Sequence, residues 1–83
     1  MRVPVSVIEF EDALLSLKKR NLIKQYLKAK NYLLDGRSWG LDFKERNPQW
    51  SNVWSFRINQ QFRAFGYFDE DWNLIVTNIN DHS

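Results

Sequence analysis

Residues 53–68 read VWSFRINQQFRAFGYF, two apolar runs separated by a polar tip. From Trp54 to Ile58 every second residue is apolar, which is the period of two expected of a strand with one buried face. The tip, Asn59 to Gln61, is followed by a second run from Phe62 to Phe68. The stretch therefore predicts two consecutive antiparallel strands joined by a tight connection.

Two arginines occupy comparable positions on these strands. Arg57 alternates with the apolar residues of the first strand, and Arg63 shares one face of the second strand with Phe65 and Tyr67. If both arginines point away from the core, they form a guanidinium pair whose fixed donors suit a phosphate. The spacing is equally compatible with two unrelated surface arginines, each paired with an acid of a neighbouring strand.

The segments that flank this hairpin extend the predicted sheet. Asp69-Glu70-Asp71 forms an acidic turn into a third strand, Asn73–Ile79. On the other side, Asn47 and Pro48 mark a loop, and Trp39–Phe43 is compatible with a fourth strand. The expected arrangement is an antiparallel meander.

The first half of the chain has helical periodicity. Apolar residues recur at i, i+3, i+4 and i+7, at Phe10, Ala13, Leu14 and Leu17. A second periodic run follows Asn21, a good N-cap residue, and stops at Gly36, which favours a helix end. We therefore predict the α+β class, with two N-terminal helices packed on a small antiparallel sheet of three to four strands. The small Ala64 and Gly66 would let a helix approach closely.

Composition limits the class of protein. Eighty-three residues are too few for two cores, so we expect residues 1–83 to form one domain. The lack of Cys and the single His exclude a disulfide framework and a Cys/His zinc site, which favours a reducing, cytoplasmic compartment. The apolar runs are far shorter than the roughly 20 residues of a membrane span, and the N-terminus lacks the apolar core of a signal peptide.

Charge is unevenly distributed along the chain, although the net charge is only +2. Residues 18–63 hold eleven of the twelve Lys and Arg residues but only three acids, a net charge of +8. This region is able to attract phosphate. The six Lys and Arg residues of its helical part are better explained as a solvated helix face.

Other side chains are weaker candidates for function. Lys44 and Arg46 could border the face that carries the arginine pair, or be ordinary surface cations. Tyr67 and Phe65 could stack on an unpaired base, or belong to the core. His82 has an ordinary pKa near 6.5 that suits proton transfer, but a histidine one residue from the C-terminus is often only a frayed, exposed side chain.

Several catalytic signatures are missing from the sequence: a phosphate-cradling glycine-rich loop, a nucleophile elbow, HExxH and an EF-hand loop. We therefore expect neither a metal ion nor a small-molecule cofactor.

The segment VWSFRINQQFRAFGYF, followed by LIVTNINDHS, resembles the C-terminal half of RelE/HigB-type toxins of bacterial type II toxin–antitoxin systems, within the RelE/ParE superfamily. The shared features are a strand ending in Arg, a polar turn, an aromatic-Arg pair opening the next strand, and a last strand closing in an Asp/His cluster. Motif-level likeness covers residues 53–82, and the two preceding helices agree with the family's architecture.

The resemblance implies a labile antitoxin partner that wraps the toxin and, in many members, ribosome-dependent cleavage of mRNA. It also implies that Arg63 contacts the scissile phosphate and that Arg57 belongs to a basic preceding strand. Lys44 and Arg46 resemble the family's upstream basic pair only loosely. His82 matches the terminal histidine of HigB-like members.

The chain departs from the family at its end. HigB-like members commonly finish in Asp-Tyr-His, whereas here Asp81 directly precedes His82. In an extended strand Asn80, not Asp81, would therefore share a face with His82. RelE-like members carry a further segment with an Arg and a Tyr, and this sequence stops before it, so the general acid is not assigned by the resemblance.

The leading hypothesis is a metal-independent ribonuclease that acts on ribosome-bound mRNA. Arg57, Arg63 and His82 would be catalytic, and the RNA would be held by Lys44, Arg46, Tyr67 and Asn80. Two alternatives stay open: a ParE-like toxin that binds DNA gyrase without catalysis, and a non-toxic family member that only binds a partner. No membrane association is expected under any of the three hypotheses.

Overall fold

The computed structural model describes residues 3–81, which contain two helices and five strands. In chain order these are β1 (Val7–Glu9), α1 (Glu11–Lys19), α2 (Ile23–Leu34), β2 (Lys44–Glu45), β3 (Trp54–Arg57), β4 (Phe62–Phe68) and β5 (Leu74–Asp81). The strands form one sheet in the order β1-β5-β4-β3-β2. β1 runs parallel to β5, and the other neighbouring strands are antiparallel. The α+β class is confirmed, but the sheet is mixed and has five strands instead of three to four.

The strand that sequence patterns missed is β1. It spans only three residues, and its register places Val7 opposite Leu74 and Ile8 opposite Ile75. Three residues cannot display a period of two clearly, so the alternation that reveals β3 and β4 was not available here. β2 is shorter still, and it lies just after the range Trp39–Phe43 in which a fourth strand was expected.

Both helices end at a residue in the left-handed conformation, Asn21 at φ 57° after α1 and Gly36 at φ 76° after α2. The N–H of Asn21 donates to the carbonyl of Lys18 at 3.1 Å, and the N–H of Leu22 donates to that of Leu17 at 2.8 Å. This pair of bonds is a Schellman motif. Asn21 therefore closes α1, and the prediction that its side chain caps α2 is wrong. The same short polar side chain favours both positions, so sequence alone did not separate them.

The core lies between the helices and one face of the sheet. The rings of Tyr26 on α2 and Phe56 on β3 have centroids 6.0 Å apart, and α1 packs on β5. The buried cluster includes Ala13, Leu17, Tyr26, Leu33, Phe56, Ala64, Leu74 and Val76. We call the opposite side of the sheet the open face; its residues are Ile8, Lys44, Ser55, Arg57, Arg63, Phe65, Tyr67, Ile75, Asn78 and Asn80.

A polar cluster fastens the edge strand β1 to α2. The hydroxyl of Tyr26 donates to Oε2 of Glu9 at 2.6 Å, and Nζ of Lys30 lies 2.8 Å from the same oxygen. Burial raises the pKa of Tyr26, and the neighbouring carboxylate raises it further, so the phenol keeps its proton and acts as a donor.

Neither helix is long and apolar enough to cross a membrane.

Gly66 is required by the neighbouring strand. The register between β4 and β5 shifts between Phe65 and Gly66, which leaves Thr77 as an extra residue on β5. A Cβ atom on Gly66 would collide with the backbone carbonyl of Ile75. The close approach that its small size permits is therefore to a strand, whereas Ala64 is the small residue buried in the core under the helices.

The substitution Gly66→Ala is expected to lower the free energy of unfolding by about 1–3 kcal/mol, because backbone atoms of two strands must separate to accept the methyl group. Gly40→Ala is the matched control, since a Cβ there meets no atom within 4 Å. Urea denaturation of the three proteins measures the effect. Equal loss of stability in both variants would show that the contact with Ile75 is unimportant.

Candidate functional site

The structure brings Arg57 and Arg63 together on the open face. They are direct cross-strand partners in the register of β3 and β4, so their side chains leave the sheet on the same side. The next pair is hydrogen-bonded, with the N–H of Ile58 donating to the carbonyl of Phe62 at 3.0 Å. Arg57 and Arg63 therefore form the non-hydrogen-bonded type of pair, in which Cα atoms are about 4.5 Å apart and side chains are closest.

The two arginines differ in their surroundings. Arg63 is only 3% exposed, and its Nη1 lies 3.1 Å from Oδ2 of Asp42. Arg57 is exposed, and within residues 3–81 it makes no ion pair. The interpretation in which an arginine pairs with a nearby acid thus holds for Arg63, although the acid comes from a loop on the open face.

Asp42 is placed by its two neighbours in sequence. Leu41 and Phe43 are both buried, and the carbonyl of Leu41 accepts the N–H of Arg57 at 2.6 Å. This segment therefore runs along the outer edge of β3. The backbone of Asp42 itself is left-handed, at φ 51°, a conformation that Asp tolerates better than most residues. As a result, the carboxylate reaches across β3 to Arg63 on β4.

The Asp42 carboxylate is shared between two cations. Oδ1 lies 3.6 Å from Nζ of Lys44, while Oδ2 faces Arg63. Partial burial works to raise the pKa of Asp42, but the positive charges of Lys44 and Arg63 and their hydrogen bonds outweigh it, so the pKa lies below its usual value. The carboxylate is therefore ionised throughout the neutral range.

Two of the other candidate residues lie on the open face beside the pair. Lys44 is exposed on β2, opposite Ser55, and Asn80 is exposed on β5, directly opposite Arg63. Arg57, Arg63 and Asn80 thus form one row across three adjacent strands. Lys44 lies one row away and is connected to Arg63 through Asp42.

The remaining candidates lie outside this row. Tyr67 is half-exposed on the open face opposite Ile75, four residues along β4 from Arg63, or about 13 Å at the usual rise per residue. Arg46 follows β2 and lines a shallow cavity of about 410 Å³ together with Lys44, Glu45 and Asn47. His82 lies outside the described residues, so its position relative to Arg63 stays a prediction.

The electrostatic balance of the site favours anions. Lys44, Arg57 and Arg63 carry three positive charges against the one negative charge of Asp42. Like charges directly opposite each other destabilise a sheet. Lys44 and Arg57 are exposed, so an external anion can reach these two cations. In the described part of the chain, no three His, Asp or Glu side chains gather as metal ligands would.

Sequence reasoning missed Asp42. In the segment DFKER it counted only as one of three acids in a basic region. The available signal was its even spacing with Lys44, which predicts that both side chains share a face if the segment is extended. That signal cannot reveal the contact with Arg63, because the contact bridges two strands that are distant in sequence.

Comparison with solved structures shows a likeness over the whole chain. A solved structure described as a YoeB dimer from Staphylococcus aureus superposes on the chain with a TM-score of 0.68 at 13% sequence identity, over 100% of both chains. The two chains share a fold. At so low an identity the likeness extends to the fold alone. No family model matches the sequence, and no curated protein matches it.

The ion pair of Asp42 is expected to make stability depend on pH. Because the folded-state pKa is depressed, the contribution is present above the unfolded-state pKa of about 3.9 and is lost as pH falls through the folded-state value. The stability difference between the wild type and Asp42→Asn should therefore shrink between about pH 5 and pH 2. Urea denaturation at a series of pH values measures it, and a constant difference over that range would contradict the assignment.

Proposed function

We propose that this chain is the toxin of a type II toxin–antitoxin pair and that it cleaves mRNA on the ribosome. Two independent likenesses support the proposal. Residues 53–82 resemble RelE/HigB-type toxins in sequence, and the whole chain shares its fold with YoeB, a toxin of this general type. Fold does not determine chemistry, so the proposal depends on the site.

The observation that carries the proposal is the direct opposition of Arg57 and Arg63 on the open face. In the proposed reaction a ribose 2′-oxygen attacks the adjacent phosphorus, its proton passes to a base, and the bond from phosphorus to the 5′-oxygen breaks. The transition state carries extra negative charge on the phosphate oxygens. Two guanidinium groups fixed on neighbouring strands supply donors for that charge, and loss of one such donor typically costs about 10²–10³ in rate.

The proposal for the proton transfers rests on the match between His82 and the terminal histidine of HigB-like members. We propose His82 as the group that protonates the leaving 5′-oxygen or accepts the 2′-hydroxyl proton, since its ordinary pKa near 6.5 suits either role. Asn80, two residues earlier, lies directly opposite Arg63. β5 therefore reaches the arginine row two residues before His82 in sequence, which supports this role.

The remaining candidates are proposed to hold RNA. Lys44 lies on the edge strand β2, and Arg46 follows it two residues later in the sequence. Both would contact the phosphate backbone. Tyr67 offers an exposed ring further along β4, on which an unpaired base can stack. The proposed partners are a cognate antitoxin, the ribosome and mRNA, in the cytoplasm and with no cofactor.

Induction of the wild type and of single variants in a bacterial host, with mapping of mRNA 5′ ends, tests the activity. Arg57→Ala should lower cleavage by about 10²-fold, because the substitution removes a hydrogen-bond donor to the phosphate. It should not unfold the protein, because this side chain is exposed. His82→Ala should lower it as well. Arg37→Ala is the control, since it removes an exposed cation that pairs with Asp35 away from the row.

Arg63 needs a more cautious substitution because it is buried. Arg63→Gln keeps a donor for Asp42 and loses the charge, so it should abolish cleavage while a thermal melt reports that the protein still folds. Growth arrest with intact transcripts would overturn the nuclease proposal and would fit a toxin that binds DNA gyrase. Intact transcripts with normal growth would fit a non-toxic binding protein.

A further inference from the structure

The contact between Asp42 and Arg63 has an unusual distribution of exposure. The side chain of Arg63 is 4% exposed, whereas that of Asp42 is 38% exposed. The anion of this pair is therefore the accessible partner, and the cation is buried.

We propose that Asp42 is a built-in anion that occupies the phosphate position of Arg63 and must be displaced before an RNA phosphate binds there. The inference rests on the proposed function and concerns the regulation of that same site. A carboxylate and a phosphodiester each carry one negative charge and present two oxygens to a guanidinium. Asp42 therefore competes with the RNA phosphate for the same donors.

Lys44 gives the displaced carboxylate a second partner. Oδ1 of Asp42 already lies 3.6 Å from Nζ of Lys44, so the carboxylate can leave Arg63 without losing all compensation. The neighbouring residues also limit the size of the change. Leu41 and Phe43 on either side of Asp42 are buried, so the displacement needs a new side-chain rotamer and no movement of the main chain.

The Asp42 carboxylate, as a cover on Arg63, makes the site selective. A small anion gains only what Asp42 already supplies to Arg63, so its binding is opposed by the intramolecular carboxylate at high effective concentration. An RNA phosphate also reaches Arg57, directly opposite Arg63, and the rest of the strand contacts other cations. The site is therefore expected to discriminate against free phosphate and other small anions in favour of a polyanion.

Inorganic phosphate is the probe that tests the cover directly. Its binding is measured by thermal melting of the purified chain and by NMR of the Arg63 Nε–Hε resonance, in chloride buffer of constant ionic strength. Two variants remove the carboxylate without straining the backbone: Asp42→Asn, since Asn tolerates a left-handed φ, and Asp42→Gly, which adopts it freely. Asp71→Asn is the control, because it makes the same change in net charge at an exposed residue of the turn after β4.

The half-saturating phosphate concentration is expected to fall at least tenfold in both Asp42 variants, with the Arg63 resonance shifting in step. In the wild type and in Asp71→Asn the half-saturating concentration should stay high. These two proteins also measure the general stabilising effect of phosphate on folded proteins, which is subtracted from the effect seen in the Asp42 variants. Equal half-saturation in all four proteins would overturn the proposal. So would weaker phosphate binding by the Asp42 variants, because it would make Asp42 a supporting residue that holds Arg63 in place.

A variant that melts too low at the start is still informative. Phosphate should raise the melting temperature of a destabilised Asp42 variant more than that of Asp71→Asn, and failure to do so counts against the cover. RNA cleavage is recorded separately with the same proteins. If the wild type cleaves RNA and removing Asp42 does not raise the affinity for phosphate, the cover is rejected and the nuclease is kept. If removing Asp42 raises the affinity but the wild type does not cleave RNA, the nuclease is rejected and the anion site is kept.

Discussion

Arg57 and Arg63 occupy the type of cross-strand position in which side chains are closest, so their positive charges repel each other. The other charged residues of the site offset this repulsion. Arg57 keeps its charge in solvent, while Arg63 is buried and requires an anion. The loop before β2 supplies it through Asp42, and Lys44 holds the other side of the same carboxylate. The burial of Leu41 and Phe43 fixes the path of that loop, and this path brings the carboxylate of Asp42 within reach of Arg63.

Elements with a long periodic pattern were predictable from sequence. Both helices and the hairpin of β3 and β4 show enough repeats for the period to be read. β1 and β2 are too short for this, and they are defined by pairing with strands far away in the chain. Asn21 illustrates a different limit, because its side chain is favoured at a helix start and at a helix end, and only the tertiary path of the chain selects between them.

The sequence was enough to predict which face of the sheet carries the two arginines. It was not enough to predict how deeply each of their side chains is buried. Alternation along β3 and β4 places Arg57 and Arg63 on one face once the register is known. Neither the burial of Arg63 nor the approach of Asp42 follows from alternation, because both depend on how residues 37–43 fold back along β3. Gly66 is similar: its small size is visible in the sequence, but the strand it accommodates is visible only in three dimensions.

The parallel pairing of β1 with β5 joins strands that are far apart in sequence, residues 7–9 and residues 74–76. Val7 lies opposite Leu74, so this pairing cannot form until residues 74–76 have been synthesised and have left the exit tunnel. Contacts between such distant residues also slow folding, since the connecting chain must close a long loop before the contacts form. In a nascent copy β1 therefore stays without its partner strand until β5 has emerged.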